Sequence, residues 1–160
     1  MDIKLNFFGA AKNVTGSCYF IEANGVRLLV DCGLYQERDL KQRNWDDFPV
    51  PADSIDAVLL THAHLDHCGR LPKLVKEGFR GRIFATAASA EIAEIIMLDS
   101  AHIQEEDIKH KKRRHEEKGK TSPFPYEALY DTEHAEKTAR MFTTARYNTP
   151  VPIGAGITAE

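Results

Sequence analysis

Short apolar runs separated by polar or glycine-containing segments fill the first half of the chain, and a helical period takes over after residue 87. Ile3 to Phe8 reads as a first strand, followed by a loop of small and polar residues from Gly9 to Gly16. Ser17 to Ala23 and Val26 to Asp31 read as two more strands, with Asn24-Gly25 between them as a two-residue hairpin turn. Gln36 to Asp47 is polar and predicts an irregular excursion or a short helix, and Asp53-Ser54-Ile55 predicts a brief turn. Ala57 to Thr61 is strand-like. Gly69 to Glu77 is helical, with Leu71, Leu74 and Val75 on one face, and Gly78 and Gly81 bracket the return to a strand at Arg82 to Thr86. This strand-helix-strand alternation predicts an α/β fold.

From Ala87 the spacing of Ile92, Ile95, Ile96 and Ile103 predicts a long helix with these residues on its buried face, running into Lys109 to His115. Thr121 to Pro125 reads as a linker. Thr132 is placed to cap a further helix reaching about Thr143, with Glu133 favourable in its first turn. Pro150, Pro152, Gly154 and Gly156 make the last stretch turn-like, and there are no internal repeats.

Composition narrows the class. In 160 residues, 28% are charged and 42% hydrophobic, the balance of one folded domain or part of a larger one. No apolar run approaches a membrane span and Met1-Asp2-Ile3-Lys4 does not open a signal peptide, so a cytoplasmic protein is expected. A net charge of -3 provides no overall attraction to nucleic acid, so a polyanion would have to meet a local basic surface or a metal. The basic block Lys109 to Arg114 is flanked by Glu105, Glu106, Asp107, Glu116 and Glu117 and is expected to be a solvated helix with opposite-sign pairs. Cys18, Cys32 and Cys68 are odd in number and lack C-x-x-C spacing, which argues against a disulfide framework. Cys68 adjoins the densest chemistry in the chain, yet a packed thiol is the expected role.

That chemistry is the run Thr61-His62-Ala63-His64-Leu65-Asp66-His67-Cys68-Gly69, which follows the apolar stretch Ala57 to Leu60. His62 and His64, two apart on extended chain, point to one side, and Asp66 and His67 follow where a helix begins. If these side chains did not share a cation, each would need its own polar partner or water in one turn. Neutral imidazoles and a carboxylate suit zinc, and also iron or manganese, in an open catalytic site. Isolated histidines at 102, 110, 115 and 134 are expected at the surface or hydrogen bonded. Upstream, Asp31-Cys32-Gly33 puts a carboxylate at the end of an apolar strand, where it serves either an active site or a loop cap.

These residues resemble the metallo-β-lactamase superfamily, whose signature H-x-H-x-D-H is matched by His62, His64, Asp66 and His67, with Asp31 upstream. Phe8 to Ala11, Val14 to Cys18, Leu29 to Gln36 and His67 to Pro72, with the helix containing Ala101 to Glu106, resemble its β-CASP branch of RNA-processing nucleases. The resemblance implies the first half of an αββα sandwich, with His62 and His64 on a first zinc and Asp66 and His67 on a second. Asp31 would orient ligands or metal-bound water, and together with Asp66 it is the expected catalytic carboxylate. Backbone N–H groups of the Gly9 to Ser17 loop and the hydroxyls of Thr15 and Ser17 would meet substrate phosphate, unless that loop is an ordinary strand connection.

Family members carry a further first-zinc histidine, a bridging aspartate and a clamp domain, none of which follows His134 here. Residues 1–160 are therefore expected to be the N-terminal part of such a domain, truncated before those motifs. The implied function is a zinc-dependent ribonuclease in the full-length protein, with two zinc ions and RNA as partner. The 160-residue piece is expected to be inactive, to hold fewer ions or none, and to self-associate through an uncovered sheet face. The alternatives are another metallo-hydrolase of this fold, acting on a thioester, a lactone or a different phosphodiester, or a non-catalytic metal-binding subunit.

Overall fold

The computed structural model describes residues 2–119 and 126–160; the expected linker Thr121 to Pro125 lies outside them. Six strands form one mixed sheet in sequence order: β1 (Ile3–Gly9), β2 (Cys18–Ala23), β3 (Val26–Val30), β4 (Ala57–Leu59), β5 (Arg82–Ala85) and β6 (Phe142–Thr144). β1, β2 and β3 pair antiparallel, whereas β3 through β6 run parallel, each step after β3 being a crossover. The Asn24-Gly25 turn has both residues at positive φ, 50° and 79°, the conformation that a tight two-residue hairpin demands.

Alternation sorts the strand residues onto two faces. Phe20, Leu29, Val58 and Ile83 lie on the face covered by helices. There they pack with Leu71 and Leu74 of α2 (Leu71–Lys76), Ala93, Met97 and Ala101 of α3 (Ala87–Glu117), and Ala135 of α4 (Thr132–Ala139). The opposite face carries the cross-strand row Leu5, Ile21, Leu28 and Ala57. Part of it is covered by Val151, Ile153 and Ile157 from a separate hairpin, β7 (Val151–Gly154) and β8 (Ile157–Ala159). Ile3, Leu5 and Phe7 remain 64%, 52% and 59% exposed on the edge strand of that face. These three large apolar side chains form an exposed apolar row on the sheet edge.

Four expectations need correction. The buried stripe of α3 is Ala93, Met97 and Ala101, while Ile92, Ile95 and Ile103 are more than half exposed and only Ile96 packs against the core. Two alanines let the helix axis approach the core closely, and the isoleucines fall on another side of the cylinder. The cap of α4 is Asp131, whose carboxylate accepts from His134 N, because Thr132 donates its N–H and hydroxyl to Glu105 instead. That helix stops at Ala139, and Phe142–Thr144 becomes the parallel edge strand β6 rather than a last helical turn. The turn-like terminal stretch is itself a hairpin, with Ala155 and Gly156 at positive φ between its strands.

The Gln36 to Asp47 excursion contains one 3-10 turn at Lys41–Trp45. Buried Asn44 pins it by exchanging two hydrogen bonds with the backbone of Tyr35, at 2.8 and 2.9 Å. Among the described residues, no helix is long and apolar enough to cross a membrane.

Candidate metal centre

The parallel strands β3 and β4 end side by side, and both chains bend away at that edge to form the site. β4 delivers Thr61 to His64 as extended chain, after which α1 (Leu65–Cys68) carries Asp66 and His67. The backbone of α1 is held from outside itself. Ser17 N donates to Asp66 O, Cys32 N to His67 O, and Leu34 N to Leu65 O, at 2.8 to 3.1 Å. A Cβ on Gly33 would lie 1.6 Å from Asp66 O, so only glycine lets the two segments touch there. Arg70, buried, donates through Nε to Gly33 O at 2.6 Å and fixes the same crossing.

Asp31 sits under this turn, 2% exposed, at a φ of 62° that aspartate tolerates better than most residues. Its carboxylate accepts from Thr61 N (2.8 Å), Thr61 Oγ1 (2.8 and 3.0 Å) and His67 Nδ1 (2.8 Å). These contacts set two tautomers. A carboxylate only accepts, so His67 carries its proton on Nδ1 and keeps a lone pair on Nε2. Thr61 gives its hydroxyl proton to Asp31 and therefore accepts from His62 Nδ1, 3.0 Å away, which leaves the lone pair of His62 on Nε2. Partial burial and the neighbouring imidazoles of His67 and His64 hold His62 below the usual histidine range, reinforcing its neutral form.

The donor atoms then fall into two pairs. His62 Nε2 is 3.2 Å from His64 Nδ1, and His67 Nε2 is 3.6 Å from Asp66 Oδ2. Two ligands on one tetrahedral zinc stand about 3.3 Å apart, given bonds of about 2.0–2.1 Å. Each pair is thus spaced as one edge of a coordination tetrahedron, and the rings of His62 and His67, 4.0 Å apart, bring the pairs together. Among the described residues, no three His, Cys, Asp or Glu side chains converge to hold one ion. Cys68 is no additional ligand: it is buried, donates to Ala63 O at 3.4 Å, and burial pushes its thiol up to about 12.

Thr15 and Ser17, the expected phosphate contacts, are bonded within the protein to Glu37 and to α1. The N–H and hydroxyl of Thr15 both go to Glu37, which also accepts from Val14 N at 2.9 Å. Three donors hold the Glu37 carboxyl at about 2. Ser17 is buried and its N–H is committed to Asp66 O. Val14 N, Thr15 N and the Thr15 hydroxyl thus tie the loop to Glu37, and Ser17 N ties it to α1. Thr61, Gly33, Glu37 and Arg70 are parts of the site that residue spacing does not mark, since each acts through a contact between distant segments. Of the isolated histidines, His115 pairs with Tyr126 OH (2.6 Å) and His134 with Asp131 (2.6 Å), away from the metal motif.

Residues 11–152 match the family described as the metallo-beta-lactamase superfamily. The chain belongs to that superfamily. Members of this metallo-beta-lactamase superfamily bind metal ions, in keeping with the donor pairs described above. Among its relatives is Ribonuclease TTHA0252 of Thermus thermophilus, 48% identical over 99 residues, 62% of this chain and 23% of that protein. Transcription termination factor FttA of Methanothermobacter thermautotrophicus is 30% identical over 157 residues, 96% of this chain and 22% of that protein. Cleavage and polyadenylation specificity factor 73 of Drosophila melanogaster is 34% identical over 102 residues, 61% of this chain and 14% of that protein. One of these relatives is named a ribonuclease and another a cleavage and polyadenylation factor, in keeping with the RNA-processing branch that the sequence resembles. The chain spans less than a quarter of the length of each of them.

Proposed function

We propose that the whole protein containing this chain is a zinc-dependent ribonuclease that hydrolyses phosphodiester bonds in RNA processing or decay, in the cytoplasm. The observation that carries the reading is the pair of two-donor edges on one turn, with the Nε2 lone pairs of His62 and His67 kept free by Asp31, through Thr61 and directly. The names of the ribonuclease and cleavage-factor relatives support RNA as the substrate class.

In this reading His62 and His64 hold one ion, and Asp66 and His67 hold a second. When bound, such a pair of ions supplies hydroxide near neutral pH and offsets the charge that develops on phosphate. The residues of the chain orient and neutralise. Asp31 keeps His67 Nδ1 and, through Thr61, His62 Nδ1 protonated, so both Nε2 atoms stay free of protons. Asp66 contributes the negative charge that two nearby cations require. Glu37, Thr15 and Ser17 are assigned to holding the loop and α1 in register, and any contact of that loop with phosphate is secondary to this task. With two donors per ion on the turn, the remaining ligands come from elsewhere in the protein.

Assaying the whole protein on single-stranded RNA, a thioester and a β-lactam, with zinc and with chelator, tests the reading. Zinc-dependent RNA cleavage with little turnover of the other two is expected. Preferential thioester or β-lactam hydrolysis would overturn it.

A further inference from the structure

A groove of about 780 Å³ lies away from the metal motif, between the C-terminal half of α3, the 3-10 turn ending at Trp45, and the segment Tyr126 to Ala128. That volume accommodates a group of nucleotide size. The basic block divides at this groove. Lys109 pairs with Glu106 (2.8 Å) and Arg113 with Glu117 (3.0 Å), the opposite-sign pairs expected of a solvated helix. Lys111 and Arg114 instead line the groove and, among the described residues, have no carboxylate partner. Three apart on a helix, their Cβ atoms are about 5–6 Å apart, close to the step between successive phosphates of an extended strand.

Flat surfaces stand beside these cations. Trp45 is 48% exposed, although the adjacent Asn44 is buried and anchors the turn that presents it. Tyr126 is held by its hydroxyl to His115 Nδ1. Among the described residues the groove has two carboxylates, and one of them, Glu127, is engaged by Lys76 at 2.9 Å, leaving Asp107 against Lys111 and Arg114. In a chain of net charge -3, this is a local excess of positive charge next to an exposed indole. Cations at phosphate spacing with an aromatic platform are the chemistry that single-stranded nucleic acid recognises.

We propose that this groove is a second RNA-binding surface, distinct from the metal centre, which holds a single-stranded stretch by phosphate contacts to Lys111 and Arg114 and by stacking of a base on Trp45. The inference rests on the ribonuclease reading for its substrate class. It assigns the groove a role in retaining RNA, with no part in the bond cleavage.

The test is anisotropy binding of a fluorescent 20-nucleotide single strand to the whole protein, with chelator present so that hydrolysis does not contribute. K111Q/R114Q should bind about tenfold more weakly and lower the slope of log affinity against log salt by about 1.4, for two single-strand phosphate contacts. The control K109Q/R113Q, whose cations are already paired, should stay within about twofold of wild type. W45A should lose about fivefold to a hundredfold, and W45F should retain most of the affinity, which separates stacking from a local change of fold. Cleavage of a substrate only a few nucleotides long should be unchanged in every variant. Wild-type affinity in K111Q/R114Q, or equal losses in both double variants, would overturn the inference; the first outcome would leave the groove to a protein partner. A protein that binds RNA as described but cleaves none would fail the ribonuclease reading alone.

Discussion

His67 donates from Nδ1 to Asp31 at 2.8 Å, and the same carboxylate holds the hydroxyl that accepts from His62. One buried residue on β3's end thereby sets the protonation pattern of two imidazoles on the next strand's end.

Removing either link should therefore lower metal affinity without touching a ligand. D31N and T61V are each expected to weaken zinc binding by the whole protein about 10-fold to 100-fold. D31A should in addition destabilise the fold by about 0.5–1.5 kcal/mol, because the exposed Thr61 and half-buried His67 lose their hydrogen-bond acceptor. Zinc titration against a competing chelator, with thermal unfolding of the same variants, measures both. Unchanged zinc affinity in T61V would break the link from Asp31 to His62.

Gly33 should tolerate no side chain. The Cβ of G33A would overlap Asp66 O, so the loss should reach the upper end of the about 1–3 kcal/mol usual for overpacking, together with reduced metal affinity. G25A is the contrast: the Gly25 Cβ position is open space, so only its positive φ is penalised and the metal centre should be unaffected. Urea unfolding of the two variants compares them directly.

Acid should loosen the Gly9 to Ser17 loop late. The Glu37 carboxyl is depressed from 4.5 to about 2 by its bonds from Thr15 and Val14. Its contribution is accordingly complete above pH 4.5 and is lost as pH falls toward 2. An NMR titration should give Glu37 a midpoint near 2 and show the Thr15 and Val14 amide shifts moving with it. E37Q should remove that transition and increase amide exchange at Val14 and Thr15. A midpoint near 4.5 would contradict the contact.

Taken alone, residues 1–160 should bind zinc weakly, with fewer than two ions per chain, and should self-associate. Two donors per ion fall short of the three that a catalytic zinc takes, and Ile3, Leu5 and Phe7 offer an apolar edge to a second copy. Metal analysis after equilibrium dialysis, combined with light scattering, tests both points. Two tightly held ions on a monomer would mean that another residue of this chain completes the site.

Much of this was readable in the residues because it is local. Strand-length apolar runs, the Asn24-Gly25 turn and the H-x-H-x-D-H spacing depend on neighbours in the chain, and the sheet order and the membership of the superfamily agree with them. What escaped was decided at a distance. Ile92, Ile95 and Ile103 have helical spacing, but the core selects the side of α3 where alanines permit close approach. Asp131 took the cap of α4 because Glu105, on another helix, engages Thr132. That Thr15 donates to Glu37, 22 residues away, is likewise decided by the fold. Even the basic block was half legible: its pairs at i,i+3 and i,i+4 follow from spacing, whereas the groove facing Lys111 and Arg114 is built by Trp45 and Tyr126.

The central claim is that the turn at 62–67 performs RNA hydrolysis, and single-turnover cleavage of RNA by the whole protein carrying D66A or H67A tests it most directly. The backbone of α1 is held by Ser17, Cys32 and Leu34 rather than by these side chains, so circular dichroism should report a native fold. Cleavage should fall by at least about a hundredfold. Wild-type rates in either folded variant would contradict the account.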